Sequence, residues 1–172
     1  KLKYCALSPD GKQYSTSSGT DSCTITYNLK TGKEIYRVNH SDEVKNIQYS
    51  PSGNKIGVIL SNTVQLIDSS NGNIIGELSH DERISSLQFC SDGSYIATSS
   101  HDNSIKIWDS ITCQCVYVIT HNQNDAIYVS FSPNSKYIVT ASYDKTAKLY
   151  RFWPVQALIE KCKGIINNYE LP

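Results

Sequence analysis

Four turn segments recur at a nearly fixed step along this chain: SPDG at 8–11, SPSG at 50–53, CSDG at 90–93 and SPNS at 132–135. Their starts lie 42, 40 and 42 residues apart. A period near 41 constrains the fold before any other property does, because a repeated unit of this size buries its faces on its own copies. In these turns Pro or Ser, followed by Asp, Asn or Ser and then mostly Gly, supplies the fixed φ and the positive φ of a tight reversal.

Alternating or apolar runs flank the turns: KNIQYS and KIGVIL, SSLQFC and YIATSS, YVSFS and YIVTAS. A second short turn follows (GTDS, SN, HDNS, YDKT), then a third run (CTITYN, TVQLID, IKIWD, AKLYR). A third turn such as KTG or SNG leads to a fourth run (EIYRV, NIIGEL, CQCVYVI). Each repeat therefore predicts four short strands, a to d, in an all-β chain. A sandwich would accept such a unit, but the repetition favours a propeller blade, whose faces pack on neighbouring blades. The predicted repeats are about 1–40, 41–80, 81–121 and 122–153.

The 16 basic and 16 acidic residues cancel, and no Lys/Arg cluster provides the footprint of a nucleic-acid binder. No apolar run approaches the roughly 18 residues of a membrane span, and KLKYCALSPDG lacks the features of a signal peptide. These properties predict a soluble, cytoplasmic protein without nucleic-acid or membrane partners. Cys5, Cys23, Cys90, Cys113, Cys115 and Cys162 are irregularly spaced, which predicts buried free thiols rather than a disulfide framework. Cys113 and Cys115 would share one strand face, but no second ligand pair lies at a zinc-like interval. No metal and no cofactor are expected.

The third repeat, LSHDERISSLQFCSDGSYIATSSHDNSIKIWD, closes on Trp108-Asp109, and with the period it resembles the WD40 repeat over about residues 3–153. The other repeats close on Tyr27-Asn28, Ile67-Asp68 and Tyr150-Arg151. The resemblance implies four four-stranded antiparallel blades. It also implies a structural network in each blade: a His ahead of strand a, a Ser or Thr on b, an Asp in the b–c turn and an aromatic residue on c. Repeat three offers His80, Thr98 or Ser100, Asp102 and Trp108. Repeat four offers His121, Thr140 or Ser142, Asp144 and Tyr150. Repeat one keeps Thr16 or Ser18, Asp21 and Tyr27. Repeat two has His40, but Ile67 and a turn without Asp, so its network is expected to be broken.

A Ser-His-Asp hydrolase is the alternative from another class. Nucleophilic catalysis needs one activated serine beside one base and an oxyanion hole. The sequence has no G-x-S-x-G elbow, and its His/Asp pairs recur once per repeat, so no enzyme is expected. By the resemblance, His101, Thr20 and Tyr143 in the b–c turns and Glu43, Arg83 and Asp125 ahead of strand a lie on the face where partners dock. Their mixed sign suits a protein or peptide better than phosphate.

After repeat four the pattern stops. Val155, Leu158, Ile159, Cys162, Ile165, Ile166 and Tyr169 have the spacing of an amphipathic helix over 154–170, with Pro154 suited to its first turn. The tail resembles those of bacterial multidomain proteins in which a WD40 propeller follows a signalling NTPase. Four blades are few for a ring. The chain is therefore expected either to be the C-terminal half-propeller of a longer signalling protein or to complete an eight-bladed ring as a homodimer. The function implied is a non-catalytic interaction scaffold or sensing module; a purely self-assembling half-ring is a further alternative.

Overall fold

The computed structural model of the protein describes residues 2–18, 22–120 and 126–153. They form fifteen strands in four antiparallel sheets, each a simple meander. Blade 1 comprises β1 (Leu2–Leu7), β2 (Gln13–Ser18), β3 (Cys23–Asn28) and β4 (Glu34–Asn39). Blade 2 comprises β5 (Asn46–Tyr49), β6 (Lys55–Ile59), β7 (Thr63–Asp68) and β8 (Ile74–Ser79). Blade 3 comprises β9 (Ile84–Phe89), β10 (Tyr95–Ser100), β11 (Ser104–Asp109) and β12 (Cys115–Thr120). Blade 4 has β13 (Ala126–Phe131), β14 (Tyr137–Ser142) and β15 (Ala147–Arg151), without a fourth strand among the described residues. No helix occurs among the described residues; the helix predicted over 154–170 lies outside them.

Local chemistry repeats with the turns. Ser8 Oγ donates to Asp10 Oδ1 (2.7 Å) and accepts from the Gln13 amide (2.9 Å). Ser132 repeats this with Asn134 (2.7 Å) and the Tyr137 amide (3.0 Å), and the Cys90 thiol with Asp92 (2.9 Å) and the Tyr95 amide (3.1 Å). The reversal needs a left-handed residue, supplied by Gly11, Gly53 and Gly93 at φ 67°, 75° and 75°. Blade 4 places Ser135 there at φ 52°, a conformation costly for a residue with a Cβ. Its hydroxyl accepts from the Ser91 amide of blade 3 at 2.8 Å, so the strained turn also bridges two blades.

The cores lie between blades. Val38, Val44, Ile47, Tyr49, Ile56 and Ile67 are among the residues closing the first seam. Ile59, Leu66, Leu78, Leu87, Phe89 and Trp108 belong to the second, and Ala97, Ile105, Ile107, Val129, Phe131 and Ile138 to the third. Burying both faces of a small sheet in this way is what holds a repeat that cannot fold alone. One position after strand c, Ser69 and Ser110 bond to the Gly53 and Gly93 carbonyls. Blade 4 has Phe152 at that position, in edge contact with Tyr95 (5.2 Å) and Phe131 (5.4 Å). A polar pin has become an aromatic plug.

Five cysteines are described, all of them free thiols. Cys23 and Cys90 are buried and Cys113 half-buried, but Cys5 and Cys115 are exposed. The expectation of buried thiols is corrected for these two, because Cys5 lies on the uncovered side of blade 1 and Cys115 on an outermost strand.

Candidate functional site

Strand c of blade 3 holds Trp108 beside Thr98 of strand b, and the indole Nε1–H donates to Thr98 Oγ1 at 2.7 Å. The same hydroxyl lies 2.7 Å from His80 Nε2. His80 Nδ1 lies 2.8 Å from Asp102 Oδ2 in the b–c turn. One tautomer satisfies the set: Nδ1–H donates to the carboxylate, Nε2 accepts from Thr98, and Thr98 accepts from Trp108. Asp102 also accepts from the Ser104 hydroxyl (2.5 Å), the Ser104 amide (2.9 Å) and the Asp81 amide (3.2 Å).

The His80 side chain has no exposed surface and that of Asp102 is 10% exposed. Burial pushes the imidazole below its ordinary value, against the opposing pull of Asp102, so the contact is a hydrogen bond from a neutral ring rather than an ion pair. Burial would raise the Asp102 carboxyl, but the Ser104 hydroxyl and His80 outweigh it and hold the group below the usual carboxylate range. Ser100 does not reach the histidine. It accepts from the Asp102 amide (3.1 Å) and donates to the Glu82 carbonyl (3.0 Å), shaping the loop instead.

Blade 4 builds the same b–c turn, with Asp144 accepting from the Thr146 amide (2.8 Å) and hydroxyl (2.6 Å) and Ser142 accepting from the Asp144 amide (3.1 Å). Thr140 is buried and Tyr150 half-buried; His121 lies outside the described residues. In blade 1, Tyr27 stacks on Tyr14 at 5.0 Å, and the buried Thr16 Oγ1 has no hydrogen-bond partner among the described residues. Thr20 and Asp21 lie outside them.

Blade 2 differs. Val58 and Ile67 stand where blade 3 has Thr98 and Trp108, and His40 uses other residues. Its Nε2 lies 2.9 Å from Thr24 Oγ1 of blade 1 and its Nδ1 2.7 Å from Gln65 Oε1, while Gln65 Nε2 donates to Glu77 (2.7 Å). The Asp-centred network of blade 3 is absent here, but both ring nitrogens are engaged. Burial lowers this imidazole too, with the Gln65 bond opposing. Only the spacing of His40 was informative in the sequence; Thr24 and Gln65 lie in strands and belong to no turn motif.

The loops ahead of strand a and the b–c turns share one end of each blade, as a meander requires. The His101 amide donates to the Arg83 carbonyl at 2.8 Å, so these residues are neighbours; Arg83 is exposed and His101 half-buried. Tyr143 is 59% exposed. Glu43 is held between Lys3 (2.6 Å) and Lys45 (2.5 Å), and the Lys3 and then the Lys45 hydrogen bonds pull its carboxyl down to about 2. Asp125 lies outside the described residues. Between the inner strands of blades 2, 3 and 4 lies a polar cleft of about 200 Å³ lined in part by Asn46, Gln48, Ser86 and Tyr128. That is smaller than the roughly 300–1,000 Å³ of a usual small-molecule site.

Comparison with known proteins matches residues 72–109 and 113–151 to the WD40 model, described as WD domain, G-beta repeat. A CXCXC repeat model matches 106–116, although only Cys113 and Cys115 supply its cysteines. The chain is 30% identical over 148 residues to p21-activated protein kinase-interacting protein 1-like of Danio rerio, covering 85% of this chain and 40% of that protein. It is 27% identical over 150 residues to p21-activated protein kinase-interacting protein 1 of Homo sapiens (86% and 38%). It is also 27% identical over 152 residues to COMPASS component SWD3 of Saccharomyces cerevisiae (87% and 48%). The chain thus spans less than half the length of these relatives. The matched residues 72–109 and 113–151 carry β8 of blade 2, all four strands of blade 3 and the three strands of blade 4, so this part of the chain is similar to the WD40 repeat.

Proposed function

We propose that this chain is a non-catalytic interaction scaffold or sensing module that holds a protein or peptide partner on a rim bearing Arg83, His101 and Tyr143, with Glu43 and Asp125 as further candidates for contact. The carrying observation is the state of His80. Both ring nitrogens are committed inside the blade and the side chain has no exposed surface, so it cannot take a proton from a serine attacking a substrate. A hydrolase reading has no support from this histidine, and the histidine–carboxylate set acts as a structural rivet. Two of the matched relatives are named for interaction with p21-activated protein kinase, and that kinase is the first partner to test.

The test is a titration of the chain with p21-activated protein kinase, comparing wild type with Arg83→Ala, His101→Ala and Tyr143→Ala. Weaker binding with unchanged melting supports the rim; equal binding by all three variants removes it. Labelling by a serine-reactive fluorophosphonate that disappears on denaturation would instead revive a hydrolase. A cytoplasmic setting agrees with the five free thiols among the described residues, and no helix among those residues is long and apolar enough to cross a membrane.

One observation favours a homodimer as well. Tyr137, Val139 and Leu149 on the far side of blade 4 are 40%, 43% and 69% exposed. They stand in register with Tyr95, Ala97 and Ile107, the residues of blade 3 on which blade 4 itself packs. A second copy turning a blade face onto them would build the eight-bladed ring.

A further inference from the structure

The outermost strands of the first three blades occupy one position in the repeat, yet their chemistry differs. Strand β4 carries Glu34 and Arg37, an exposed pair at 3.1 Å, and β8 carries Glu77. Strand β12, Cys-Val-Tyr-Val-Ile-Thr, has no charge. In register, Arg37 and Glu77 correspond to Val118. Val116, Tyr117 and Val118 are 37%, 57% and 50% exposed, and Cys115 is exposed as well. The charge in this part of blade 3 sits across the ladder at Lys106, opposite Val118. Its ammonium is drawn away, to the Ser79 carbonyl at 3.0 Å and over the Trp108 ring at 5.6 Å.

Strand β12 is the edge of its sheet and pairs only with β11 among the described strands. Edge strands are commonly guarded by charge, since their unpaired amides and carbonyls template further pairing. We propose that β12 is a homotypic docking edge, on which two copies of this chain pair antiparallel across a two-fold axis and join two four-stranded sheets into one of eight strands.

Charge selects the occupant. In an isologous antiparallel pair the strand meets its own reverse, so every residue of β12 faces an uncharged, largely β-branched or aromatic neighbour, the pairs that best stabilise a sheet. The same pairing at β4 or β8 would bury Arg37, Glu34 or Glu77 against a copy, at a desolvation cost. A six-residue strand pair buries less than the roughly 1,200 Å² of a stable interface, so the association is weak and reversible. It uses the outer edge rather than the rim or the blade 4 face, and it stands apart from the function proposed above.

Sedimentation of the chain over a rising concentration series tests it, with Val118→Glu, which restores the charge that β8 carries at this position, and Leu149→Lys on the blade 4 face. In the Leu149→Lys background, which blocks the blade 4 face, the apparent mass is expected to climb toward twice that of one chain, and to stay at one chain once Val118→Glu is added. A Leu149→Lys chain that remains single, or a Leu149→Lys/Val118→Glu chain that associates like Leu149→Lys, overturns the proposal. Should Val118→Glu fail to fold, amide exchange on the wild type decides. Protection of β12 amides must rise with concentration while that of β4 and β8 does not, and no rise overturns the proposal.

Discussion

The thiol of Cys113 occupies the space that a side chain on Gly76 would need. Across the previous seam the sizes are reversed: Tyr36, in register with Gly76, lies over Gly72, in register with Cys113, and sends its hydroxyl to the Ser69 carbonyl at 3.0 Å. These two seams thus each pair one large and one small residue at the same place. Gly76→Ala is expected to cost about 1–3 kcal/mol through overpacking. In a Cys113→Gly background, which also restores glycine at a position with φ 59°, most of that cost should vanish. Denaturant melts of the four proteins give the coupling; independent effects would contradict the contact.

Removing the acceptor of the blade 3 network should be as costly as removing a core methyl. Asp102→Ala leaves His80 Nδ1–H only its longer contact with Ser104 Oγ (3.2 Å) and orphans the amides of Asp81 and Ser104. Thr98→Val orphans the Trp108 indole N–H and removes the donor to His80. Each is expected to lose about 1–3 kcal/mol, and the double variant less than the sum, because the two act on one histidine. Unchanged melting temperatures would show that water replaces the network at no cost.

Acidification should destabilise the fold before any carboxylate titrates. Burial holds the His80 and His40 imidazoles below their ordinary value, so as pH falls through about 6.5 the unfolded chain takes up protons first. Stability is full above that window and is lost below it, until the folded rings protonate as well. Asp102, held below its ordinary value, adds a second loss below about pH 4. Melting temperature measured from neutral to acidic pH should fall in these two stages, and His40→Gln should shrink the first. A curve flat from neutrality to about pH 5 would contradict the buried neutral rings.

Lys145 adopts φ 66° in the b–c turn of blade 4, where blade 3 has Asn103 at φ 65°. Asparagine tolerates the left-handed region better than lysine. Lys145→Asn should therefore stabilise the protein by roughly 0.5–1 kcal/mol, readable as a shift in denaturation midpoint. A loss would show that the lysine makes a contact worth more than the strain.

What could be read from the sequence was whatever depends on spacing. The turn segments located the blades because a tight reversal admits few residue types, and the six-residue step from Asp102 to Trp108 placed both at hydrogen-bonding distance from the Thr98–His80 pair. Contacts across seams left no such trace. Thr24 and Gln65 around His40, Gly76 beneath Cys113 and Phe152 in the third seam are set by packing between sheets, where any side chain of suitable volume serves. Ser100 and Thr98 were indistinguishable for a simpler reason: alternate residues of a strand face the same side, and only the depth of the imidazole decides between them.

His80 follows the last strand of blade 2, yet Thr98, Asp102 and Trp108 all belong to blade 3. The unit that would survive transplantation is therefore offset from the sheet, running from one histidine to just short of the next. A graft cut at the end of β8 and before His80 would carry four sound strands into its new host and leave their keystone behind.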